Sequence, residues 1–206
     1  MRRRLVLGAA LGACATAGCS SVAPRPVRAA EYDLGPPPER APARGIAAPR
    51  VLVLETVQAS GPLEEAGMLY RLDYEDSRQL RAYTQSRWIA PIALLVRSRM
   101  AELLAPRFTV LTPGEAARRT RAASEGERFL RLELLDFSQR FDSPQSSVGE
   151  VRVRATVLRD GVVAQRTLAV REPALRADAA AGVRALSLGL ERMAQQLGEW
   201  LDSGEH

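Results

Sequence analysis

The chain has 206 residues, 46% hydrophobic and 26% charged, which is enough for one domain with a real core and an ordinary soluble composition. All 29 basic residues are Arg, and the absence of Lys and Asn beside abundant Ala, Gly and Pro reads as GC-rich coding rather than function. The net charge of +5 falls to +2 once Arg2, Arg3 and Arg4 are assigned to a removable leader, and the other arginines are interleaved with carboxylates. Nucleic-acid binding is set aside, because no basic stripe with stacking aromatics runs along the chain.

Arg2–Arg4 form a basic n-region, and Leu5–Gly18 is small and apolar until the chain turns polar at Ser20. That run is short of the roughly 18 residues of a spanning helix and fits a secretory signal peptide over residues 1–18. Thr16-Ala17-Gly18-Cys19-Ser20 resembles a bacterial lipobox, in which Cys19 becomes the first mature residue and carries acyl chains. Leu11-Gly12-Ala13-Cys14 is its rival: it has the more usual Leu three before the Cys but leaves a leader of only 13 residues. Leader length favours Cys19. A Cys14–Cys19 disulfide or two inert thiols are the plainer alternatives. Ser20 lacks the Asp that retains lipoproteins in the inner membrane, so the resemblance implies an outer-membrane anchor.

Residues 19–49 are rich in Pro, Ala and Arg and read as an extended tether, with Glu31–Leu34 as a brief edge strand. Arg50–Val57 is a nearly continuous apolar run, the mark of a strand buried on both faces. Met68–Thr84 reads as a hairpin: Met68, Tyr70, Leu72 and Tyr74 share one face, and Glu75–Arg78 supply the polar break. Pro91 to about Ala105 has helical periodicity, with Pro91 in the first turn and Pro106 as the stop. Phe108–Leu111 is a short strand, and Thr112-Pro113-Gly114-Glu115 caps a short helix whose Arg118, Arg119 and Arg121 are expected in water. Three alternating strands follow, Arg128–Phe141, Val148–Arg159 and Val162–Arg171, the last two joined by the hairpin signal Asp160-Gly161. The final helix, about Asp178 to Leu201, carries Val183, Leu186, Leu190, Met193, Leu197 and Trp200 in one continuous stripe, read as core. The expected architecture is a single α/β domain over residues 50–206, a mixed sheet of six or seven strands packed by two main helices.

Chemistry is scarce. The sole histidine is the terminal His206, which sets aside His-based nucleophile systems and His-ligated metals, and no phosphate-binding glycine loop occurs. No cofactor and no metal are expected. Asp73, Glu75 and Asp76 cluster in the hairpin turn, where turn chemistry alone accounts for acidic residues. Tyr83, Arg87 and Trp88 are the candidate partner interface, since these residue types are enriched at binding hot spots. Trp88 is equally readable as a core anchor. The chain is read as a binding protein and not an enzyme.

The order of features resembles the ABC-type transport auxiliary lipoproteins, the PqiC/YmbA-like family. It comprises a lipobox Cys, Tyr32-Asp33-Leu34, a Val/Leu-rich strand, Tyr70-Arg71, Tyr83, Arg87-Trp88 with Pro91, and late strands before a helix ending in Trp200-Leu201. Ile89-Ala90 departs from the small residue and double Pro expected there. The resemblance covers about Glu31 to Leu201. It implies an anticodon-binding-domain-like fold and an outer-membrane lipoprotein facing the periplasm, partnered by an MCE-domain protein and ABC transporter subunits in lipid transport. Self-association into a homo-oligomer is a further expectation. A periplasmic lipid carrier and an outer-membrane assembly lipoprotein are the competing readings.

Overall fold

The computed structural model describes residues 28–37, 50–119, 127–159 and 161–203. Cys14, Cys19, the signal peptide, most of the tether, Arg121, Asp160 and His206 lie outside the described residues.

The organising strand is β6 (Arg128–Ser143), sixteen residues long. Along one flank it pairs in parallel with two strands placed end to end. β2 (Arg50–Leu54) lies beside Arg128–Leu130, and β3 (Gly67–Leu72) lies beside Ser138–Phe141. Its other flank pairs antiparallel with β7 (Ser146–Arg159), which in turn pairs with β8 (Val162–Pro173). β5 (Phe108–Leu111) extends the sheet beyond β2, while β4 (Arg81–Trp88) and then β1 (Ala30–Tyr32) extend it beyond β3. The result is a mixed eight-stranded sheet, the expected α/β class with the brief edge strand of the tether counted in.

Between Leu134 and Asp136 the register of β6 shifts by one residue against β7, a β-bulge at Leu135. Because side chains alternate with a period of two, one extra residue exchanges the faces of everything after it. Leu130, Leu132 and Leu134 point to the covered side before the bulge, and Phe137, Gln139 and Phe141 do so after it; all are buried.

Two helices cover that side, α2 (Ile92–Leu104) and α4 (Ala179–Ser203). All six residues of the α4 stripe are buried, as its 3-4 spacing requires. Gly149 of β7 lets α4 approach closely, since a Cβ there would lie 2.7 Å from the backbone nitrogen of Leu186. Gly182 does the same for the side chain of Gln139. A buried guanidinium, that of Arg128, donates to the carbonyl of Leu201 and fixes the far end of α4 to β6. On the opposite side the one-turn helix α3 (Pro113–Ala116), capped by Thr112 and Glu115, packs against β2 and β5, and Leu52, Val53 and Leu54 are all buried.

The hairpin differs from its sequence reading. β3 ends at Leu72, and Asp73–Asp76 form a single helical turn, α1, so Tyr74 leaves the inward face and is exposed. A register shift between Gly67 and Leu69 also lets Met68 and Leu69 both be buried. Arg119 is not simply solvated: its Nε lies 2.9 Å from the buried Glu127.

Gly149→Ala is expected to destabilise the domain by about 1–3 kcal/mol, since strand and helix backbones must separate to admit the methyl group. Gly114→Ala, with nothing within 4 Å of its Cβ position, should leave stability unchanged or raise it by up to about 1 kcal/mol. Urea unfolding of both variants checks the contrast.

Candidate docking surface

The expected interface residues separate once the strand is formed. Trp88, at the end of β4, is 1% exposed and packs edge-on against Phe137 with ring centroids 5.7 Å apart. Its burial makes it a core anchor. Arg87 points to solvent, and its strand partner across β1 is Glu31. Tyr83 is half-buried: its ring lies 4.6 Å from that of Tyr70, and its hydroxyl donates to Gln139 Oε1 at 2.9 Å. Burial pushes the Tyr83 phenol well above its ordinary range, with Tyr70 and Asp178 adding to the shift, so it keeps its proton and remains a donor. Gln139 completes the link by donating to Ser147 Oγ at 2.8 Å and to the carbonyl of Asp178 at 3.2 Å. This buried chain of hydrogen bonds ties β4, β6 and β7 to the approach of α4.

The three carboxylates of the hairpin turn face three different partners. Asp73 accepts two hydrogen bonds from Arg140 at 2.8 and 3.0 Å. Glu75 pairs with Arg81 at 2.8 Å, and Asp76 accepts from the backbone of Arg78 at 2.9 Å. They do not converge on a common point, so no acid–base pair is assembled. Arg140 continues to Glu150, which Arg171 also contacts at 3.0 Å; with Arg154–Glu133 and Arg131–Glu55, these ion pairs lace the face of the sheet opposite α2 and α4. Among the described residues no group of three His, Cys, Asp or Glu side chains could hold a metal ion, and no helix is long and apolar enough to cross a membrane.

A second arrangement was not foreseen. Arg99 of α2 is 7% exposed; it donates to the carbonyls of Leu34 and Gly35 and lies 3.4 Å from Glu102. Leu34 is itself buried in the core, and Gly35 adopts φ +72°, a left-handed turn that favours glycine. The segment that leads in from the tether is thus clamped to the domain by a buried cation. Beside it, an open groove of about 490 Å³ runs between Glu31–Pro36 and α4. Three features of the sequence lie along it, Tyr32-Asp33-Leu34, the departure at Ile89-Ala90 and Val183 of the α4 stripe, but none of them pointed to a groove.

The sequence family described as "ABC-type transport auxiliary lipoprotein component" matches residues 32–198. The chain belongs to this family. Among solved structures, protein XCC0632 of Xanthomonas campestris, a DUF330 family member, superposes with a TM-score of 0.60 at 17% identity. That match covers 75% of this chain and 87% of the other. An uncharacterised protein superposes with a TM-score of 0.65 at 15% identity, covering 84% and 99%. At such identities the likeness shows the fold alone. No curated protein matches. Membership makes this chain a lipoprotein component of an ABC-type transport system, a transport accessory and not a member of a known enzyme family.

In this auxiliary lipoprotein, Trp88→Ala is expected to cost about 3–5 kcal/mol of stability. Arg87→Ala, on the exposed side of the same strand, should change it by no more than about 0.5 kcal/mol. Thermal unfolding followed by circular dichroism distinguishes them.

Proposed function

We propose that this chain is the outer-membrane-anchored, periplasm-facing auxiliary component of an MCE-type ABC lipid transport system, acylated at Cys19 and docking the transport complex to the outer membrane. The reading rests on family membership joined to one structural observation: the interior of the domain is filled. The space between sheet and helices is occupied by Trp88, Phe137, Met100, Leu186 and Leu190, each at most 1% exposed, and their buried neighbours. A shuttle that shields acyl chains needs an enclosed apolar space of several hundred cubic ångströms. Two mainly apolar hollows, the groove beside Glu31–Pro36 and one beside Val57, Ala59 and Leu94, both open to solvent and both carry charged residues on their walls. Docking therefore suits the domain better than carrying. Tyr83 and Arg87 remain candidate contact residues of the docked state, Tyr83 through its exposed part.

The lipid anchor gives the proposal its location. Each buried CH₂ contributes about 0.8 kcal/mol, so several acyl chains hold a folded domain to a bilayer that a single chain holds only marginally.

Affinity purification from detergent-solubilised envelopes, read by mass spectrometry, is expected to recover an MCE-domain protein together with ABC transporter subunits. Cys19→Ala should leave the outer-membrane fraction. Retention of that variant in the outer membrane would move the anchor to Cys14 or away from acylation altogether, and a purification without transporter subunits would overturn the docking role.

A further inference from the structure

The groove between the Glu31–Pro36 segment and α4 joins core residues, Leu34 and Val183, to exposed apolar side chains that packing does not explain. Its walls are formed by Tyr32, Leu34, Pro36, Ile89, Val183 and Leu188. Two of these are large aliphatic side chains left in water, Ile89 at 55% exposure and Leu188 at 50%. Ile89 lies in the loop between β4 and α2, where a small polar residue would satisfy the turn equally well. A smaller hollow of about 200 Å³ shares Asp33, Leu34, Gly35 and Ile89 with the groove and extends it towards α2. The main groove alone falls in the range of about 300–1,000 Å³ typical of recognition clefts.

The charge around this apolar surface runs against that of the chain. Glu31, Asp33, Glu191 and Glu102 line the two hollows, against Arg184 and Arg99. Arg99 is buried and already engaged with the Leu34 and Gly35 carbonyls and with Glu102. A chain that keeps a net charge of +2 without its leader arginines thus presents a locally acidic, apolar trough.

We propose that this groove docks a basic amphipathic segment of a partner protein. Its apolar side chains would cover Ile89 and Leu188, and its Arg or Lys residues would lie against Glu31, Asp33 and Glu191. This is helix-in-groove recognition, in which an apolar stripe is buried and a charged border sets specificity and orientation. An anionic lipid surface is disfavoured by the same border. A second copy seated patch to patch would bring each set of carboxylates against its own image. The inference rests on the docking reading above and supplies it with a surface.

The test places a photo-reactive benzoylphenylalanine at Leu188 of the full-length lipoprotein in intact cells, with Val163, 61% exposed on the face opposite α2 and α4, as the control position. Cross-linked peptides are mapped by mass spectrometry. The expected product from Leu188 alone is a single protein segment of net positive charge, with apolar residues three and four apart. Its yield should fall about tenfold in the Glu31→Arg, Glu191→Arg double variant, the loss of roughly one charge-pair's contribution to affinity. Circular dichroism melts confirm that this double variant folds. No product specific to position 188, a lipid adduct, a second copy of this chain, an acidic segment, or a yield indifferent to charge reversal would each overturn the proposal. If transporter subunits still co-purify in any of those cases, the groove fails while the docking role stands; if they do not co-purify with the wild type, the docking role itself fails.

Discussion

The single extra residue at Leu135 in β6 governs how the two halves of the domain share one core. Upstream of it, even-numbered residues face the helices and β2 is the parallel neighbour; downstream, odd-numbered residues face them and β3 takes that place. Without the bulge, Asp136 and Ser138 would be driven under α4, and Phe137 and Gln139 would face the ion-paired side. A buried unpaired carboxylate there costs several kcal/mol. With the bulge, Phe137 meets Trp88, and Gln139 sits where Tyr83, Ser147 and the carbonyl of Asp178 can all reach it. The close seat of α4 follows: Gly149 and Gly182 remove β-carbons that would hold it away, Gly189 eases its contact with Val151, and Arg128 fixes its other end.

That construction leaves the two sides of the sheet with different tasks. The covered side is packed solid and gives the domain its stability. The other carries arginine–carboxylate pairs over much of its area, with α3 over β2 and β5 and Phe129 and Val163 left exposed. The unusual surface lies at the margin, where the segment from the tether crosses the ends of β4 and α2. Arg99 holds that segment in place, so the groove beside it has a defined wall rather than a wandering strand of linker. With the proposed anchor at Cys19, the proposed docking groove would lie next to the segment that Arg99 grips.

Much of this was legible in the sequence wherever the relevant contacts are periodic. The α4 stripe, the alternation of Val151, Val153, Ala155 and Val157, and the apolar run at Leu52–Leu54 each announce their own burial. The bulge was not legible, because Leu134-Leu135-Asp136-Phe137 offers an apolar side chain in either register. Arg99 was invisible for another reason: its partners are main-chain carbonyls 64 and 65 residues away, and carbonyls leave no mark on composition. Trp88 could be read either as core or as contact until Phe137, from a distant strand, was seen against it. The groove draws on the tether, the β4–α2 loop and α4 together, so no single stretch of sequence could have displayed it.

The central claim is that a filled, lipid-anchored domain recruits a transport complex and does not itself carry lipid. Native mass spectrometry of the full-length lipoprotein, released from envelopes under gentle conditions, tests it most directly. The account predicts a mass equal to the mature chain plus its covalent acyl groups, found in assembly with protein subunits. A chain bearing one non-covalent phospholipid apiece, with no protein partner, would contradict it.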